Sequence, residues 1–114
     1  MTKLTIFERE KGDVTILDLK GDVTFGEGNL ELRKAIRRLL GDGKKKIHLN
    51  FKFVGYVDSS GIGELISGYT AINREGGELK LSNLSNRVKD LLVITKLLSV
   101  FEIYEENDYP AGQK

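Results

Sequence analysis

The chain of 114 residues contains no cysteine, a single histidine (His48), a single proline (Pro110) and almost no excess of charge. Without cysteine there is no disulfide framework and no thiolate metal site. With one histidine there is no His pair to hold a metal, and no run of carboxylates stands at loop-ligand spacing. Eighteen basic against 17 acidic side chains leave a net charge of +1, so no global field draws the chain to nucleic acid or to an anionic bilayer. Nowhere do about 18 apolar residues run consecutively, and Met1 to Glu10 is a charged, alternating segment unlike a signal peptide. We therefore expect a cytoplasmic protein without membrane insertion. The length suits one domain over 1–114, with the polar residues 105–114 fraying.

What is present is an ordered alternation of strand and helix patterns. Leu4 to Glu10 and Val14 to Leu19 are β-rich runs around Lys11-Gly12-Asp13, which reads as an antiparallel hairpin. Leu32, Ala35, Ile36, Leu39 and Leu40 recur at helical spacing, with Asn29 as the expected N-cap and Gly41 as the stop. Ile47 to Phe53 alternates apolar and polar residues, as a strand with one buried face does. Ile62, Leu65, Ile66, Tyr69 and Ile72 then form the apolar stripe of a second helix, ended by Gly76-Gly77. Glu78 to Ser82 reads as a short strand, and Ser85 as the cap of a helix burying Val88, Leu91 and Leu92. A last apolar stretch around Leu97 to Tyr104 suits a loop and an edge strand. The order β-β-α-β-α-β-α-β predicts a sheet covered by helices, its parallel strands joined by helical crossovers.

Catalytic and nucleotide-binding motifs fail on spacing. A Gly-x-Ser-x-Gly elbow is missing around Ser59, and His48 falls on the polar side of its strand, which predicts an exposed, inert imidazole. In Gly41-Asp42-Gly43-Lys44, Lys45 occupies the place a phosphate loop gives to a hydroxyl. Gly61-Ile62-Gly63 is only part of a dinucleotide fingerprint, since Leu65 and Ile66 follow it. These failures point to no cofactor, no metal and no catalytic residue. Arg33, Lys34, Arg37, Arg38, Lys44, Lys45 and Lys46 concentrate positive charge, but no aromatic side chain is interleaved to stack on bases.

The informative segment is Asp58-Ser59-Ser60-Gly61-Ile62-Gly63, where strand pattern gives way to helix pattern. It sets a carboxylate and two hydroxyls at a helix N-terminus, whose free N–H groups and positive dipole end favour oxygen-bearing groups, phosphate included. The cluster reads as a helix cap or as a chemical switch. Along the same helix Gly61, Glu64, Gly68, Ala71 and Glu75 form a low-relief line. Interior glycine costs up to about 1 kcal/mol relative to Ala, so close approach of another surface, or of a neighbouring loop, is expected along it.

In its order of motifs the chain resembles the STAS domain family, and within it the bacterial anti-sigma factor antagonists. The likeness rests on Val54 to Gly63, then Gly76-Gly77-Glu78-Leu79, then Val88, Leu91-Leu92, Thr95, Leu98 and Phe101 to Tyr104. It implies an α/β STAS fold, a mixed sheet of about four to five strands with an N-terminal antiparallel hairpin and helices packed on it. It also implies a regulator and not an enzyme. Ser59 stands where the family carries a serine phosphorylated by a partner that is both anti-sigma factor and serine kinase, and a metal-dependent serine phosphatase reverses the mark. The unphosphorylated antagonist binds the anti-sigma factor and releases a sigma factor. The surface expected to meet that partner comprises Asp58, Ser59, Ser60, Gly61, Gly63, Glu64 and Gly68, on a monomer or weak dimer. STAS modules of transporters and signalling scaffolds that lack the switch are the alternative; retention of Ser59 argues against them. Asn50, where many relatives carry aspartate, and Phe25-Gly26-Glu27-Gly28 at the first helix are departures lying near the expected partner surface.

Overall fold

Gly12 takes the left-handed φ of 63° that a tight turn requires, and the two β-rich runs beside it pair as expected. Strand β1 (Thr5–Lys11) lies antiparallel to β2 (Val14–Val23), with Thr5 opposite Lys20 and Lys11 opposite Val14. Helix α1 (Glu27–Gly41), strand β3 (Lys46–Val57), helix α2 (Ser59–Arg74), strand β4 (Glu78–Ser82) and helix α3 (Asn86–Ile94) follow. A short 3-10 turn (Leu98–Val100) leads into β5 (Glu102–Tyr104). The computed structural model describes residues 3–104, so the expected fraying of 105–114 lies outside the described residues. The sheet order is β1-β2-β3-β4-β5, and every pairing after the hairpin is parallel. Two-residue turns cannot join parallel strands, which is why α1, α2 and α3 serve as the crossovers.

Strand β3 departs from the simple alternation its sequence suggests. Against β2, Asp18 faces Asn50 but Lys20 faces Phe53, and Gly21 faces Val54 but Asp22 faces Tyr56. At each step β3 carries one residue more than its neighbour, and each extra residue reverses which face the following side chains occupy. Ile47, Leu49 and Phe51 point into the core, and after the shifts Val54 and Val57 do so, while Phe53 is 62% exposed. The second bulge thus sets the phase with which the chain enters α2.

The core gathers Leu17 and Leu19 of β2, Leu32, Ile36 and Leu39 of α1, and Ile62, Leu65 and Ile72 of α2. Leu79 and Leu81 of β4, Val88 and Leu92 of α3, and Phe101 complete it. Burying each such side chain contributes about 1.5–3 kcal/mol relative to exposure. Ser85 caps α3 as expected, accepting from Val88 N–H at 3.2 Å. Two end assignments are corrected. Helix α1 begins after Gly26, without a side-chain cap, so Asn29 lies inside its first turn; and it is Gly43, at φ 79°, not Gly41, that turns the chain away.

Candidate functional site

Strands β2 and β3 run parallel and finish side by side at Val23 and Val57, so the residues after each share one rim of the sheet. Carboxyl ends of parallel strands are where α/β proteins commonly place their sites. From β2 this rim receives the turn Thr24-Phe25-Gly26 leading into α1; from β3 it receives Asp58 leading into α2.

Asp58 knits the two turns together. Its backbone is extended, and its N–H donates to the Val23 carbonyl at 3.3 Å. One carboxylate oxygen accepts the Gly61 N–H at 2.8 Å and the Ser60 hydroxyl at 2.6 Å, which makes Asp58 the N-cap of α2. The other oxygen accepts the Phe25 N–H at 3.0 Å, across 33 positions of sequence. Burial pushes the carboxyl's pKa up, but the Ser60 hydroxyl and the Phe25 and Gly61 N–H groups together hold it below the usual carboxylate range. A carboxylate so engaged is a structural anion and a poor proton acceptor.

Ser60 is the second knot. While donating to Asp58, its oxygen accepts the Asn29 amide N–H at 2.8 Å, which joins α2 to α1. This is what Asn29 does in place of capping its own helix, and the side chain is 8% exposed. Backbone contact is equally close. A Cβ on Gly61 would come within 2.2 Å of the Val23 carbonyl oxygen, and one on Gly28 within 2.4 Å of the Asp22 carbonyl oxygen. Only glycine lets the two helix starts lie this near the end of β2.

Ser59 is the first residue of α2 and is exposed, as is Gly63 one turn on. Of the other residues expected on an open partner surface, Asp58 and Ser60 are half-buried at the rim, while Gly61, Glu64 and Gly68 face inward. Gly61 and Gly68 are buried, and a Cβ on Gly68 would approach the Ile36 methyl to 2.9 Å, so the low-relief line accommodates α1 of the same chain. Glu64 is 7% exposed and receives two hydrogen bonds from the Arg33 guanidinium, at 2.7 and 3.2 Å. The expectation of an outward-facing Gly61, Glu64 and Gly68 line is thus corrected: the end of β2 takes up the space at Gly61, and helix α1 the space at Gly68.

His48 is also corrected, being 1% exposed. It lies between Ile16 of β2 and Lys80 of β4, themselves 1% and 7% exposed, because this stretch of β3 is covered on both faces. The basic cluster is partly neutralised: Arg33 pairs with Glu64, Arg38 with Glu8 and Asp42, Lys44 with Glu10, and Lys46 with Asp13. Asn50, one of the departures noted above, is 6% exposed, donates to Asp18 and accepts from Asn83. It is part of the sheet's interior and does not join the Asp58 rim. Among the described residues, no group of three His, Asp or Glu side chains could hold a metal ion, and no helix is long and apolar enough to cross a membrane.

The rim also carries a residue that periodicity did not single out as functional. Phe25 is 82% exposed, the most exposed large apolar side chain among those described. Its only sequence signal was the unusual Phe-Gly-Glu-Gly opening of α1.

The STAS domain family model matches residues 8–108. An anti-sigma-B factor antagonist of Staphylococcus aureus is 31% identical over 75 residues, covering 66% of this chain and 69% of that protein. One of Bacillus subtilis is 34% identical over 62 residues, covering 54% and 57%. Among solved structures, a Thermotoga maritima protein provisionally named an anti-sigma factor antagonist superposes with a TM-score of 0.80 at 25% identity, covering 87% of this chain and 85% of its own. The phosphorylated form of the Bacillus cell fate determinant SpoIIAA superposes with a TM-score of 0.70 at 18% identity, covering 91% and 95%, and supports the fold alone. The chain belongs to the STAS domain family, among its anti-sigma factor antagonists. The mixed sheet with its N-terminal hairpin is the fold that family membership implies.

Proposed function

We propose that this chain is a cytoplasmic, non-catalytic switch that binds an anti-sigma factor with serine-kinase activity, sets a sigma factor free, and is disengaged when Ser59 is phosphorylated. The observation that carries the reading is the division of labour at the start of α2. Asp58 and Ser60 are committed to internal hydrogen bonds, whereas the intervening Ser59 is exposed at the positive end of the helix dipole. A hydroxyl in that position can gain phosphate without giving up a structural bond. The phosphate brings a charge of about −1.5 to −2, which the helix N-terminus accommodates within the chain. Across a docked interface the same dianion must be desolvated, a penalty of several kcal/mol where no partner cation receives it.

Of the surface expected from sequence, Asp58, Ser59, Ser60 and Gly63 form the partner-facing rim of this proposal; behind it, Gly61 seats α2 on the end of β2, and Glu64 and Gly68 seat it on α1. A separate metal-dependent phosphatase resets the switch. The test pairs the purified chain with the anti-sigma factor kinase of its own organism and ATP, with phosphopeptide mapping and binding measured together. Phosphate is expected on Ser59 alone. Ser59→Ala should bind and stay unmodified, while Ser59→Glu should bind at least about tenfold more weakly at a melting temperature within about 2 °C of wild type. Equal affinity of the modified and unmodified forms would refute the switch and favour a constitutive STAS scaffold module.

A further inference from the structure

We infer that Phe25 is the apolar anchor of the partner interface, seated in a hydrophobic pocket of the anti-sigma factor next to the patch that receives Ser59; the inference rests on the reading just given. An isolated exposed apolar residue needs no explanation on a protein surface. Phe25 is different because of what holds it. Its own N–H is bound to the Asp58 carboxylate that caps the acceptor helix, so Phe25 and Ser59 are presented by one shared group. On the far side, the Asn29 N–H closes onto the Thr24 carbonyl at 3.1 Å and the Leu30 N–H onto the Gly26 carbonyl at 3.1 Å. Gly26 supplies the φ of 95° that lets the chain turn between them. The ring is therefore carried on a backbone fixed at both ends and is left 82% exposed.

Such an arrangement suits binding. An aromatic side chain has few rotamers to lose, and a preformed loop avoids the ordering cost that weakens flexible anchors. Leu30, 43% exposed in the first turn of α1, and Tyr56, 47% exposed near the end of β3, are further exposed apolar side chains on the elements that meet at this rim. The occupant this favours is a protein pocket wide enough for a phenyl ring. It also gives the phosphate its leverage, since charge added at Ser59 must be desolvated before the ring can seat. The same surface could instead pair two copies of this chain, which the experiment distinguishes.

The test measures the dissociation constant of the full chain for the purified, nucleotide-loaded anti-sigma factor kinase of its organism. Wild type, Phe25→Ser, Phe25→Leu and Ser59→Glu are compared, alongside sedimentation of each chain alone. Phe25→Ser should weaken binding about thirtyfold, with melting temperature within about 2 °C of wild type. Phe25→Leu, which still fills a pocket, should stay within about fivefold of wild type. If Phe25→Ser binds like wild type while Ser59→Glu does not bind, the anchor is refuted and the switch stands. If Phe25→Ser disrupts self-association and leaves kinase binding intact, the occupant is a second copy and the proposal fails. A wild-type chain that does not bind the kinase removes both.

Discussion

Asp58 accepts three hydrogen bonds from three different residues, and this makes it the most consequential side chain of the rim. Its folded pKa lies below the ordinary value of about 3.9, so the folded state binds the proton less readily than the unfolded chain does. The stability it contributes is therefore fully present above about pH 4 and is lost as pH falls through the folded pKa. Asp58→Asn keeps an amide oxygen to cap α2 but loses the second acceptor that holds the Phe25 N–H, and should be less stable than wild type by about 1 kcal/mol at pH 7. The difference should shrink below about pH 4, and chemical melts of both chains from neutral to acid pH read it directly. A gap independent of pH would mean that the carboxylate's charge contributes nothing. The oxygen-rich cluster itself was legible in sequence, because Asp and Ser before an apolar helical stripe have few other uses. The bond to Phe25 was not, because its partners are 33 positions apart and nothing local announces the meeting. Asn29 misled for a related reason: a good capping residue near a helix start was recruited by Ser60 of the other helix.

Among elements, α2 shows how one residue type serves opposite purposes. Gly61 and Gly63 are two positions apart, yet a Cβ on the first would strike the Val23 carbonyl at 2.2 Å, while a Cβ on the second meets nothing within 4 Å. Gly61→Ala should destabilise by about 2–3 kcal/mol, because backbone cannot step aside as a flexible side chain can. Gly63→Ala should stabilise by about 0.5–1 kcal/mol, through helix propensity and a stiffer unfolded chain. Thermal and chemical melts of the two variants check both signs, and a destabilised Gly63→Ala would show that its first turn is not free to carry a methyl. Sequence could propose close approach along this helix but could not say whether the approaching surface was foreign; the end of β2 at Gly61 and α1 at Gly68, both of the same chain, prove to be that surface. The bulges of β3 escaped notice similarly. Alternation through Phe53 looked uninterrupted, and an extra residue is defined only against the neighbouring strand, whose register the sequence does not display.

At the scale of the molecule the question is what becomes of the basic cluster. A count along the chain finds seven cations between Arg33 and Lys46, but folding brings carboxylates from β1, the hairpin turn, the end of α1 and α2 to four of them: Arg33, Arg38, Lys44 and Lys46. The glutamates of β1 alternate with other residues, so Glu8 and Glu10 present themselves to Arg38 and Lys44 across the sheet edge. Exposed pairs of this kind add little to stability. Their larger effect is on the long-range field, which needs unpaired charge to extend beyond a Debye length of about 8 Å at physiological salt. Non-specific duplex binding draws on released counterions and reaches dissociation constants of about 10⁻⁴–10⁻⁶ M only when many phosphates are neutralised at once. With Lys34, Arg37 and Lys45 as the cluster's remaining cations, fluorescence anisotropy of a labelled duplex at physiological salt should stay flat to about 50 μM protein. Saturable binding below about 10 μM that weakens steeply with added salt would show that the intramolecular pairs yield to phosphate, and that this face of α1 is a nucleic-acid surface after all.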